Sequence, residues 1–234
     1  MNKTSIKMKA ISVVIAISLV LAPVFALSAC SGVGTLMNAA SSLSDVAENM
    51  QKYEEAVSKL TNYKITIEST SESGSKSILT EMRCEQGYSW ISDDTITYIE
   101  YGKGKMYMLS ISEKSGMSYA IENDETYKSF GAGISGYLYA FEIYRLLGAK
   151  KDGSDKIGGR NTTRYTFSAE GTDYKFWIDD EYGLTMKSSI KTSGGTSTME
   201  VTEFKTGGVK LEDMVKLSDY EIQDLSELLE QYGG

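Results

Sequence analysis

The sequence predicts an α+β fold: an antiparallel meander of short strands with helices at its start, its middle and its end. Three observations carry this. Apolar residues between Leu36 and Leu60 recur at intervals of three and four, the period of one helix face. Between Tyr63 and Glu122, and again between Arg164 and Lys205, they alternate, the period of a strand with one buried side. The alternating runs are separated by turn-forming pairs rich in Gly and Asp, and the single Pro, Pro23, lies outside them.

In chain order, residues 1–29 form an export leader. Lys3, Lys7 and Lys9 make a basic start, Ala10 to Leu27 an almost unbroken apolar run, and Ser28 and Ala29 a small-residue end. An uncleaved membrane span fits the length of that run, but Pro23 and the small residues fit a processed leader better. Leu27-Ser28-Ala29-Cys30 resembles the bacterial lipobox, an aliphatic residue and two small ones ahead of an obligatory Cys. The resemblance implies that Cys30 receives a diacylglyceryl group and becomes the mature N-terminus. Each buried methylene contributes about 0.8 kcal/mol, so two acyl chains anchor the protein stably. The expected location is the extracytoplasmic face of a membrane, with the outer membrane open to it through Ser31 if the source has two membranes.

Residues 30–35 serve as a tether, and residues 36–234 as one domain. Its first element is a helix with Leu36, Ala40, Leu43, Val46, Met50, Tyr53, Val57 and Leu60 on one stripe. Strands follow at Tyr63–Ile67, Ile78–Cys84, Tyr88–Ser92, Thr95–Tyr101, Lys105–Ile111 and Met117–Glu122. The meander then breaks at Tyr127 to Gly148, where Ile134, Tyr137, Leu138, Phe141, Tyr144 and Leu147 make a second helical stripe. Strands resume at Arg164–Ser168, Asp173–Asp179, Leu184–Thr192 and Thr198–Lys205. Ser218 with Glu221 three residues on has the form of a capping box, and Ile222, Leu225, Leu228, Leu229 and Tyr232 predict a short C-terminal helix.

The last third resembles the LolA-like lipoprotein-carrier superfamily, which includes LppX/LprG-type lipid-binding lipoproteins and RseB-type sensors. The resemblance rests on Ile157-Gly158-Gly159-Arg160 with Tyr165-Thr166-Phe167, and on Phe176-Trp177-Ile178-Asp179 with Gly183-Leu184-Thr185-Met186-Lys187. Val201-Thr202-Glu203-Phe204, Gly207-Gly208-Val209 and Asp219-Tyr220-Glu221-Ile222 extend it. Thr185 and Asp219 stand where that family often has Pro. The resemblance implies a sheet curled into an incomplete β-barrel, covered by the N-terminal helix and the central helical segment, with a cavity that receives acyl chains.

Several function classes are excluded or disfavoured by composition. Without the three leader lysines the net charge is −11, which repels nucleic acid and anionic headgroups. The absence of His removes the commonest base at neutral pH and every Ser-His or Cys-His nucleophile pair. Ser73-Gly74-Ser75-Lys76, Ser188-Ser189-Ile190-Lys191 and Lys205-Thr206-Gly207 imitate a serine β-lactamase set, but that nucleophile must open a helix and these lie in a turn and in strands. Asp93-Asp94 and Asp179-Asp180-Glu181 read as solvated turn acids, Glu122, Asp124 and Glu125 as a chance carboxylate grouping, and Cys84 as an inert strand position. Lys105 to Ile111 is apolar on both faces, with Met106 and Met108 on one. With Met82, Leu184, Met186 and Met199 they are candidate linings of a pliable apolar cavity. The expected function is a membrane-anchored, non-enzymatic lipoprotein that binds or carries a lipid or other apolar ligand, without cofactor or metal. The alternative is a surface interaction or envelope-sensing module that binds a protein partner without ligand transfer.

Overall fold

A computed structural model describes residues 40–121, 145 and 148–225. The chain divides into two units, Met1–Ser41 and Ser42–Gly234, and the second carries the sheet. Twelve strands form one sheet, ordered β12-β6-β5-β4-β3-β2-β1-β11-β10-β9-β8-β7. The first six are β1 (Tyr63–Thr70), β2 (Lys76–Cys84), β3 (Gly87–Ser92), β4 (Thr95–Glu100), β5 (Lys105–Ser110) and β6 (Ser115–Ala120). A second run follows in β7 (Lys150–Ile157), β8 (Arg160–Ala169), β9 (Thr172–Asp179), β10 (Thr185–Lys191) and β11 (Thr196–Thr206). The last strand is β12 (Glu221–Asp224). We refer to β2–β6 as the meander half and to β8–β11 as the return half. β1 joins them by pairing antiparallel with both β2 and β11.

This overturns the expected α+β architecture of a curled antiparallel sheet under a layer of helices. Among the described residues the protein is dominated by a mixed sheet. Its helical elements are the 19-residue α1, Ala40–Ser58, and two three-residue 3-10 turns at Leu211–Asp213 and Leu217–Asp219, and the single described residues Arg145 and Leu225 are helical too. α1 does not blanket the sheet. Tyr53 and Val57, with Leu60 just beyond it, join Tyr63, Ile65, Ile67, Leu184, Met186 and Val201 in one cluster over the middle strands. Almost all of the expected central helix, and the end of the expected terminal one, lie outside the described residues.

The start of that terminal helix is a strand instead. β12 pairs parallel with β6, Ile222 opposite Gly116, and this makes the sheet mixed. The capping-box pattern loses to tertiary pairing: Glu221 N–H donates to Lys114 O, Lys105 pairs with Asp224 at 2.5 Å, and Ile222 joins an apolar cluster. β7 has no sequence signature. Seven of its eight residues are exposed, and only hydrogen bonding to β8 makes Lys-Lys-Asp-Gly-Ser-Asp-Lys a strand. Its charges and a register break between Lys151 and Ser154 suit an edge that must not recruit another chain.

Alternation along each strand defines two faces of the sheet. The helix face is the side on which α1 packs. The cap face is the other, where Val209, Leu211, Met214, Val215, Leu217, Tyr220 and Ile222 cover Met82, Cys84, Ile96, Tyr98 and Leu109 of the meander half. Asn62 fastens the start of this cap, donating from Nδ2 to Val209 O at 2.8 Å and accepting from Val209 N at 2.9 Å through Oδ1. In the return half Tyr174, Phe176 and Ile178 form a second buried cluster, with Tyr165, Phe167 and Ile190 against them, all on the helix face. Ile157 at the end of β7 reaches the cluster of Met186 and Val201. The return half therefore bends until its outermost strand meets the middle of the sheet.

Candidate functional site

Register places Tyr88 and Trp90 of β3, Thr97 and Ile99 of β4, Met106 and Met108 of β5, and Met117 and Tyr119 of β6 on the helix face. The cross-strand row Trp90–Thr97–Met108–Met117 runs through it, beside the row Tyr88–Ile99–Met106–Tyr119. Ile99 and Met106 are buried, and the others are half-buried. The opposite side of these strands is already filled by the 209–222 cap. The meander half is thus apolar on both sides, and among the described residues the two covering elements, α1 and the cap, pack elsewhere. Three thioethers in this set supply polarisable, adaptable contacts.

At its inner edge the face turns polar. Glu81 of β2, cross-strand neighbour of Trp90, is 3% exposed, and Tyr63 O–H donates to its carboxylate. Burial holds the Glu81 carboxyl up to about 7, against the lowering influence of Tyr63 and of Arg83. Burial, together with the charge of Glu81, pushes the Tyr63 phenol well above its ordinary range. Arg83, also on the helix face and half-buried, flanks the pair. The indole nitrogen of Trp90 is buried with no hydrogen-bond partner, although a buried indole N–H usually has one.

Of the residues expected to line a cavity, Met106, Met108, Met186 and Met199 lie on the helix face, but in two places. Met106 and Met108 belong to the helix face of the meander half. Leu184 and Met186 are sealed under α1, with Met199 packed against that cluster. Met82 lies on the cap face, in the cluster under Met214. The six do not surround one cavity. Cys30 lies outside the described residues. A separate depression of about 330 Å³, lined by Asn62, Cys84, Glu85, Gln86, Val209, Lys210 and Glu212, opens at the end of the sheet where the cap begins. Its lining is mostly polar, and the Cys84 side chain is buried. Tyr88, Trp90 and Glu81 are not among the residues that the sequence singles out as cavity linings. For the two aromatic residues the signal is nonetheless present in Gly87-Tyr88-Ser89-Trp90, where small residues alternate with large aromatic ones and so send both rings to one face.

The segments that carry the family resemblance meet in one network beside α1. Asp179, 1% exposed, accepts from Arg160 Nε at 2.5 Å and from the backbone N–H groups of Glu181 and Tyr182 at 3.1 and 2.7 Å. The Arg160 guanidinium lies over the Tyr182 and Phe204 rings, 4.8 and 5.2 Å from their centroids. Gly183, at φ +67°, closes this turn, and a Cβ there would lie 2.4 Å from the Tyr53 ring of α1. Asp94 also serves a turn, accepting from Ser110, Ser112 and the Ser112 backbone. Ser188 and Lys191 lie along β10, and Ser73 and Lys76 flank the β1–β2 turn. Among the described residues no group of His, Cys, Asp and Glu has metal-site geometry, and no helix is long and apolar enough to cross a membrane.

No family model and no curated protein matches the chain. Among solved structures it is similar to the Pseudomonas aeruginosa MucA/MucB complex, at 12% identity and TM-score 0.46 over 76% of this chain and 63% of that one. It therefore spans less than two-thirds of that chain's length. A conserved protein from Thermus thermophilus gives 8% identity and TM-score 0.42, over 78% of this chain and 99% of the other. A domain assigned to outer membrane lipoprotein sorting, from Vibrio parahaemolyticus, gives 11% and 0.28, over 75% and 97%. All three scores lie below 0.5, so none of them assigns the chain to a family or carries a function over to it.

Proposed function

We propose that the chain is an extracytoplasmic lipoprotein, anchored through Cys30, whose sheet binds a lipid or similar apolar ligand on the helix face of β3–β6. One observation carries the ligand reading: the meander half is apolar on both sides, and the described cap covers only one of them. An apolar face of aromatic and thioether side chains with a small polar edge has the chemistry of a ligand surface. We assign it no catalytic step. The anchor reading is supported by the lipobox-like Leu27-Ser28-Ala29-Cys30 at the end of the apolar leader.

The ligand reading is tested on the mature polypeptide from Ser31, purified without its anchor. Organic extraction and mass spectrometry should find a stoichiometric lipid, and the emptied protein should take up a fluorescent fatty acyl probe. Met108→Glu, which places a charge in the middle of the face, should lower uptake at least tenfold. An empty protein that takes up no probe would instead make this face a docking surface for a protein partner. Labelled palmitate should enter the wild-type chain in cells and not Cys30→Ala. Incorporation into that variant refutes the anchor.

A further inference from the structure

We propose that Trp90 marks the polar end of the ligand, its indole N–H donating to the carbonyl oxygen of an ester-linked acyl chain. This rests on the reading of the helix face as a ligand surface. The supporting observation is the orphaned donor: Trp90 Nε1 is buried and unpartnered, on the face where nothing described covers the strand. The buried, unpartnered Ser89 hydroxyl belongs to the opposite side of β3, facing the cap cluster. Leaving a buried donor unmade costs roughly 1–3 kcal/mol, and a ligand oxygen at this point removes that penalty.

The neighbours select the kind of acceptor. Glu81 stands directly across the strand pair from Trp90, with Tyr63 and Arg83 around it. A ligand carboxylate or phosphate here would have to give up water beside the buried Glu81 and Tyr63, with Arg83 the one guanidinium on these strands' helix face. An uncharged ester carbonyl accepts the hydrogen bond without that cost. From Trp90 the row through Thr97 and Met108 to Met117 crosses three strand spacings, about 14 Å. An acyl chain laid along it meets two thioethers and the flanking Ile99 and Tyr119.

The chain has two tryptophans, Trp90 and Trp177, so Trp177→Phe assigns their indole N–H resonances. The emptied mature polypeptide is titrated with methyl palmitate, palmitate and hexadecane delivered from cyclodextrin. The expected result is a downfield shift of the Trp90 indole proton with methyl palmitate and none with hexadecane. Trp90→Phe should weaken methyl palmitate about three- to tenfold, one neutral hydrogen bond, while hexadecane stays within twofold. Binding of all three molecules with a stationary Trp90 resonance, or a shift with palmitate alone, overturns this inference and leaves the ligand-binding reading intact. Failure of all three to bind overturns that reading itself.

Discussion

In the return half the sheet is one-sided. Its helix face buries Tyr174, Phe176 and Ile178, while its other face carries Arg164 paired with Asp155 at 3.0 Å, Lys187 with Glu200 at 2.5 Å, and Trp177 donating to Asp155 at 2.7 Å. Apart from Thr162 and Asp179, which are buried and hydrogen-bonded near the Arg160 turn, that face can stay in water. The meander half is two-sided: Ile96, Tyr98 and Leu109 are buried under the cap, and Ile99 and Met106 are buried on the opposite face. An antiparallel sheet with one polar face needs a single cover, whereas one apolar on both faces needs two. The difference teaches where to look for function. A surface whose residues are explained by stability alone is found in the return half, and the surface with surplus apolar chemistry is found in the meander.

The sharpest way to break the return half is at Asp179. Asp179→Ala leaves Arg160 without its buried partner and frees the Glu181 and Tyr182 amides that the carboxylate holds. Arg160 is partly exposed and keeps Glu181 at 2.8 Å, so the loss is that of charged hydrogen bonds, about 2–3 kcal/mol. We expect a loss of that size in denaturant unfolding, with α1 losing amide protection first because Gly183 and Tyr53 meet at this turn. A loss below about 1 kcal/mol, the range of exposed pairs, would mean that the network is peripheral and that α1 is held by its apolar contacts alone.

The meander half should respond to pH near neutrality. The Glu81 carboxyl is held up to about 7 by burial, against an ordinary value of 4.5, so the folded protein favours its neutral form. The folded state binds this proton more tightly than the unfolded chain. Its contribution is therefore full below about pH 4.5 and is lost as pH rises through 7. Glu81→Gln keeps an oxygen to accept from Tyr63 and abolishes the ionisation. It should be more stable than wild type at about pH 8 by on the order of 2 kcal/mol and nearly equal at about pH 4.5. Parallel stability curves for the two proteins between about pH 5 and 8 would show that Glu81 does not carry the proton.

The strands with alternating apolar residues were legible in the sequence, because a period of two over Tyr63–Ile67 or Asp173–Asp179 matches a strand with one buried side and not a helix face. What alternation could not supply was the partner of each face. Met82 and Met108 look equivalent in sequence, yet Met82 points at the cap and Met108 away from it, because a residue's face is fixed only when the register of all the strands is known. β7 and β12 were illegible for a different reason. Their hydrogen bonds are imposed by a neighbouring strand, and Lys150–Ile157 carries no periodic apolar residue to announce it. The Arg160–Asp179–Tyr182–Phe204 network draws together segments that carry the family resemblance, but the pairing of Arg160 with Asp179 follows from the β8–β9 hairpin register.

The smallest expected effect separates the two covers of the sheet. Gly87 begins β3 on the cap face, and a Cβ there would lie 2.6 Å from Leu211 Cδ1 and 2.8 Å from Ile99 O. The leucine can rotate away, but the carbonyl belongs to the neighbouring strand and cannot. Gly87→Ala should therefore cost about 1–2 kcal/mol, the low end of overpacking a filled site. The strain should appear as raised amide exchange in Leu211–Met214, with protection in β9 and β10 unchanged. If the cap and α1 were one cooperative layer, exchange would rise in both places by the same amount. Local exchange confined to the cap would establish that each half of the sheet keeps its own cover, and that the cap can loosen without exposing the core beneath α1.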